Sequence, residues 1–168
     1  MEFMDVVRKR RSIRKYKPEG IAEDKLTNIL EAARLAPSGS NRQSWKFVVV
    51  RDKEKKTKLA EACSRQTWIG EAGAVVVICY PPVKGIDDMR LRRDSTIAAE
   101  HIVLAATNEG LGSCWVGAFD QEAVKTLLTI PEEVGVNALV AMGHPAEQPR
   151  QRTFKKLEDV ICYDAYRQ

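Results

Sequence analysis

Helical and strand-like periods alternate along this chain. Phe3, Val6 and Val7, with Arg10 closing the pattern, fall at i, i+3, i+4 and i+7 and predict a helix over residues 2–10 with a basic last turn. Leu26, Ile29, Leu30 and Ala33 form a stronger stripe over 23–36, with Glu23 and Asp24 in the first turn and Pro37 as the stop. WKFVVVRD, from Trp45, reads as a strand whose three consecutive valines predict burial on both faces. KEKKTKLAEAC (53–63) is a charged surface helix, and AVVVICY (74–80) is a second buried strand ended by Pro81-Pro82. A long helix follows over 88–109. Its middle, TIAAEHIVLAAT, is apolar almost all round, which predicts a place deep in the core or at an interface. GLGSCWVGAF is a glycine turn entering a short strand, Asp120 caps a helix through Leu128, and VNALVAMG is the last strand.

Helices and buried strands in alternation predict an α/β or α+β fold, with helices on both faces of a small sheet. The tail, HPAEQPRQRTFKKLEDVICYDAYRQ, lacks a regular period yet carries Val160, Ile161, Tyr163 and Tyr166, so it is expected to add a strand or wrap a partner. There is no repeat, low-complexity tract or linker. At 168 residues the expectation is a single domain over 1–168.

Several chemistries find no support. No apolar run approaches the ~20 residues of a membrane span. MEFMDVVRKRR has no apolar h-region, so export is not expected. Cysteines at 63, 79, 114 and 162 lack metal-site or redox spacing, which predicts no metal and a reducing cytoplasm. His101 and His144 are the only histidines, too few and too far apart for a metal site, and no G-x-S-x-G elbow exists. GLGSCW (110–115) has Trp at the third glycine position of a dinucleotide fingerprint and follows a helix rather than a strand; a P-loop is absent.

Charge then draws attention to residues 8–17, RKRRSIRKYK. The chain has 27 basic and 23 acidic residues, net +4; without the seven basic residues of this stretch, acids would be in excess. Tyr16 is its only aromatic residue. A solvated face, a nucleic-acid arm and an anion pocket all remain open on charge alone. The groups that can hold an anion and a polar heterocycle are this stretch, PSGSNRQS (37–44), the turn at 110–117 and a second basic run, RQRTFKK (150–156). Arginine forks suit phosphate oxygens, and Ser12 adds a hydroxyl.

In order, RRSIRKY, APSGSNRQSWKFVVV, the long helix into GLGSCWVGAFD, and LVAMGHPAE resemble the FMN-dependent nitroreductase family over about residues 4–161, in its compact, short-chain form. The resemblance implies an α+β fold with a central, mostly antiparallel sheet flanked by helices, in an intertwined homodimer holding FMN at the interface. It implies no catalytic side chain. NAD(P)H gives hydride to bound FMN, and an oxidised small molecule, a nitroaromatic or quinone, then takes the electrons in ping-pong fashion. Nucleic acid and membrane are not expected partners.

By the same resemblance, Arg10, Arg11 and Ser12 match the phosphate contacts, and Arg14 matches the basic residue at the N1/O2 edge of the flavin. Pro37, Ser38, Gly39, Asn41 and Gln43 match a loop supplied by the partner subunit. Trp115, Val116, Gly117 and Ala118 match the segment beside the ring. Arg65 or Gln66 fills a polar position ahead of the second strand. For the C-terminal phosphate contact Arg152 comes first, then Lys155 and Lys156. Residues 80–95, with Arg90, Arg92 and Arg93, form a short lid or a solvated helix start. Two rivals are a specialised reaction of the same family, reductive dehalogenation or flavin fragmentation, and a basic nucleic-acid-binding module.

Overall fold

A computed structural model describes residues 1–149 and 151–166, and its elements follow the predicted order. They are α1 (Phe3–Lys9), α2 (Glu23–Arg34), β1 (Lys46–Val50), α3 (Lys53–Ala62), α4 (Trp68–Glu71), β2 (Ala74–Tyr80), α5 (Asp88–Asn108), β3 (Gly112–Val116), α6 (Gln121–Leu128) and β4 (Gly135–Gly143). Only α4, a single turn too short to show a period, was not anticipated. Arg150, the first residue of the second basic run, lies outside the described residues.

The strands lie in the order β1-β2-β4-β3, and each neighbouring pair is antiparallel. Helices cover both faces, as the α+β reading expects. Strand alternation explains the uninterrupted apolar runs. Val75, Val77 and Cys79 of β2 join Leu139 and Ala141 of β4 beneath Leu59, Ile69 and Val124. The intervening Val76 and Ile78 join Val140 and Met142 against Ile29, Ala99 and Ile102. Each central strand therefore needs apolar side chains at every position.

β1 departs from its expectation. It pairs only with β2 and forms the sheet edge, so Val48 and Val49 pack on opposite faces but stay half-buried; Val50 alone is buried. α5 also resolves its two options. One face, Leu91, Asp94, Ser95, Ala98, Ala99, Ile102, Val103 and Ala106, is buried in the chain, while Ile97 is exposed on the other. The predicted cap is present: Asp120 accepts from the Ala123 N–H at 3.1 Å. The described tail residues form no strand. Leu157–Asp159 makes one 3-10 turn, and Phe154, Leu157, Val160, Tyr163 and Tyr166 are exposed.

One glycine ties the sheet to the N-terminal basic stretch. A Cβ on Gly112, at the start of β3, would lie 2.7–2.9 Å from Ile13 Cγ1, Cβ and Cγ2. Ile13 Cβ is fixed to its backbone, so the neighbouring segment would have to move. Gly112→Ala is expected to lose about 1–3 kcal/mol of stability in a urea titration, the usual cost of overpacking. A wild-type midpoint would mean that Ile13 shifts freely.

Candidate functional site

The basic stretch is an extended segment stitched on both sides. The Ile13 N–H donates to Ser113 O of β3 at 3.0 Å, the Lys17 N–H to His144 O at 2.9 Å, and the Ala146 N–H to Lys15 O at 2.9 Å. Ile13 and Tyr16 point inward and are buried. The Tyr16 hydroxyl donates to Ile13 O at 2.7 Å and also lies 3.2 Å from Ala141 O. Burial pushes this phenol far above its ordinary range, with Cys114 and Glu147 adding to the rise and Arg14 opposing it. The hydroxyl is therefore a fixed donor at neutral pH. With these two side chains inside, Arg11, Ser12 and Arg14 remain on the outer side.

Arg11, Ser12, Arg14, Glu147, Gln148, Pro149 and Arg152 line one cavity of about 580 Å³. The basic segments at opposite ends of the chain therefore meet. Arg14 lies 5.9 Å over the Trp68 ring, and its backbone N–H donates to Glu147 Oε1 at 2.6 Å. Arg11 donates to the carbonyls of Arg8 and Arg10 at the end of α1, at 2.5 and 2.8 Å. Arg152 stacks 5.1 Å from the Phe154 ring. Among the described residues none of these three guanidinium groups has a carboxylate ion-pair partner within 4.0 Å. Three forked cations and a hydroxyl suit a phosphate monoester.

Larger cavities of about 640 and 760 Å³ lie elsewhere, beside Lys56 and beside Asp120. Size does not single out a candidate; the convergence of cations with no carboxylate partner among the described residues does. The other expected residues are distributed as follows. Arg10 is half-buried at the end of α1 and does not line this cavity. Val116 is buried, Trp115 is half-buried against α5's side of the sheet, and Gly117 and Ala118 emerge into solvent at the end of β3. Arg65, at φ 57°, lines a separate groove with Thr57 and Thr67, and Gln66 closes that turn. Lys155 and Lys156 are exposed outside the cavity, with Lys156 paired to Glu158 at 3.3 Å. Arg90, Arg92 and Arg93 are exposed on the first turns of α5, which gives the helix-start option for that segment.

The 37–43 loop is built differently. Ser40, Asn41 and Gln43 take left-handed φ of 52°, 54° and 53°. Asparagine tolerates this conformation, but for Ser40 and Gln43 it costs about 1–2 kcal/mol each. The Gln43 N–H closes the loop on Ser38 Oγ at 2.9 Å, and the Gln43 side chain donates to Asn41 O at 3.3 Å. Asp94 ties the loop to α5 by accepting from the Gly39 N–H at 3.1 Å and from Arg42 at 3.2 Å. Pro37, Gly39, Asn41 and Gln43 are exposed, Ser38 is half-buried, and none lines the arginine cavity of the same chain.

Thiol chemistry is not available from the interior. Burial raises the Cys63 and Cys79 thiols to about 11, and raises Cys114 despite opposing influences from Arg14 and Ser12. Sequence reasoning missed Glu147, Trp68, Arg42 and Asp94. Glu147 and Arg42 stood inside motifs already singled out; for Trp68 and Asp94 no local signal exists.

Residues 7–89 and 66–144 match the nitroreductase family. An NADH dehydrogenase of Thermus thermophilus is 33% identical over 92% of both chains. Among solved structures, a nitroreductase family protein of Clostridium novyi superposes with a TM-score of 0.84, at 35% identity over 88% of this chain and 87% of that one. The NADPH:FMN oxidoreductase of Vibrio harveyi, solved with NAD+, gives a TM-score of 0.91 at 27% identity over 99% of this chain and 78% of its own.

Proposed function

This chain belongs to the nitroreductase family, and from that premise we propose that it is an FMN-dependent oxidoreductase that carries electrons from NAD(P)H to a nitroaromatic or quinone-type acceptor. The observation that carries the reading is the meeting of Arg11, Ser12 and Arg14 with Arg152 around one cavity, with no carboxylate among the described residues pairing their guanidinium groups. When bound, FMN would supply the hydride and electron chemistry.

The chain's own groups then bind and orient. Arg11, Arg152 and the Ser12 hydroxyl neutralise and hydrogen-bond the phosphate. Arg14, steadied by Trp68 and by Glu147 on its backbone, brings positive charge to the edge of the ring where negative charge develops on reduction. Gly117 and Ala118, exposed at the end of β3, border the ring in this reading. Arg10, Arg65, Gln66, Lys155 and Lys156 keep secondary roles in this reading, since none lines the cavity.

The working unit in this reading is one domain per chain, in a homodimer. No residue of the 37–43 loop lines the arginine cavity of its own chain, which suits a loop that completes the partner's site. Ile97 of α5 and the apolar side chains of the tail, with Phe154 71% and Tyr166 86% exposed, supply surface for such a contact. Protonated interior thiols suit a reducing cytoplasm.

Purification and denaturation test the reading together. The protein is expected to be yellow, to release one FMN per chain on unfolding, to sediment as a dimer, and to bleach anaerobically with NADH or NADPH and recolour with a quinone. A dimer that binds no FMN on reconstitution would sink it.

A further inference from the structure

We infer that Asp94, on the second turn of α5, is a positioning residue that fixes the shape of the 37–43 loop and thereby the way this loop meets the flavin. The inference rests on the reading that the loop borders FMN. Asp94 is 6% exposed, and both its oxygens are committed to the loop, Oδ1 to the Gly39 N–H at 3.1 Å and Oδ2 to Arg42 Nη2 at 3.2 Å. The two partners lie 55 and 52 residues earlier in sequence, so the carboxylate is a tertiary anchor.

Four further observations point the same way. Arg42 Nε is buried and has no acceptor among the described residues, so the guanidinium depends on Asp94. A Cβ at position 39 would run into Arg42 Nη2, so the guanidinium crosses directly over Gly39 and one carboxylate holds both. The loop's own bonds, Gln43 to Ser38, Gln43 to Asn41, Asn41 to Ser38 and Arg42 to Gly39, all run within it. Left-handed backbone at Ser40, Asn41 and Gln43 persists only where surroundings over-determine it. Asp94 supplies that restraint, and its neighbours Ala98, Ala99 and Ile102 seat α5 on the sheet, so the loop is referred to the core.

A buried ion pair is a poor device for stability, because desolvation offsets much of its attraction; its better-attested use is to fix register. Here it fixes an exposed loop that buries little apolar surface of its own.

Asp94→Ala removes both bonds, whereas Asp94→Asn keeps an acceptor for the Gly39 N–H and strands the Arg42 charge. Hydrogen exchange of residues 38–43 in the FMN-free chain is expected to quicken about tenfold or more in Asp94→Ala, and less in Asp94→Asn. FMN Kd is expected to rise at least about fivefold in Asp94→Ala. The double variant Asp94→Asn/Arg42→Gln should regain part of the affinity lost by Asp94→Asn, since no unpaired charge remains buried. If Asp94→Ala does not fold by circular dichroism, Asp94→Asn and the double variant carry the same readings.

Unchanged exchange in both single variants overturns the anchor, whatever FMN does. Faster exchange with unchanged FMN affinity, while Arg14→Ala loses FMN, overturns the role toward the flavin and leaves the flavin reading standing. No FMN binding by the wild-type protein on reconstitution overturns the flavin reading, and with it the role toward the flavin, while exchange still decides the anchor.

Discussion

Replacing Arg14 with alanine is expected to weaken FMN binding by about 1.5–3 kcal/mol, or roughly 10- to 150-fold in Kd. In the free chain Arg14 is exposed, and an ion contact in open water would be worth little. In the proposed dimer a bound cofactor and a partner subunit would exclude that water, which is why the charged-contact range applies. The side chain is also aimed in advance: the Trp68 ring lies beneath its guanidinium, and Glu147 holds its backbone at 2.6 Å. Little ordering entropy remains to be lost on binding. Arg8→Ala is the matched control. Arg8 belongs to the same basic stretch but is exposed on α1, facing Asp5 at 3.9 Å, and its loss should leave Kd unchanged. Added salt should weaken wild type more than Arg14→Ala, because screening acts on the contact that the variant has already lost. Flavin fluorescence titrations of the three proteins at two salt concentrations measure all of this. Equal Kd for wild type and Arg14→Ala would remove the arginine cavity from the cofactor site.

Leu139→Ala should have the largest effect on the fold, a loss of about 2–5 kcal/mol. Leu139 is fully buried on β4, with Val77 of β2 and Val116 of β3 as its register partners. It sits in the cluster closed by Leu59, Ile69 and Val124. Neighbouring strands are tied by ladder hydrogen bonds on both sides, so the backbone cannot collapse into the space left by the missing atoms. Against a total stability of about 5–15 kcal/mol this is a large fraction. Urea unfolding should be followed without FMN, since bound ligand adds stability by mass action. A loss below about 1 kcal/mol would mean that this part of the core is loosely packed.

What could be read from the residues divides along a physical line. Features set by near neighbours were legible: Asp120 capping α6, the Leu26–Ile29–Ala33 stripe of α2, and the two-faced burial of AVVVICY in the sheet centre. Position within the sheet was not. Three valines in β1 looked as buried as those of β2, but burial depends on strand order, and β1 lies at the edge. The same limit applies at the site. Arg11, Ser12, Arg14 and Arg152 were legible because they stand in motifs, although only folding brings the last beside the others. Asp94 carried no signal, because an aspartate early in a helix looks like ordinary surface charge until its distant partners are known. Trp68 was hidden for a related reason: α4 is one turn long, and its ring is used by Arg14, far away in sequence.

The strand order β1-β2-β4-β3 also governs how the molecule comes into being. No neighbouring pair of strands is joined by a tight turn: β1 and β2 are separated by α3 and α4, β3 and β4 by α6, and the central pair by α5, β3 and α6. Loop-closure entropy must be met before any ladder forms, so the sheet assembles slowly, after its helices. On the ribosome the effect is sharper. β2 emerges with seven consecutive apolar residues and no charge, the composition of an aggregation-prone segment. Its inner partner, β4, is not made until residues 135–143, a delay of roughly 3–11 s at ~5–20 residues per second. During that interval only β1, already synthesised, can shield one edge of β2, so the modest edge strand acts as its nascent-chain guardian.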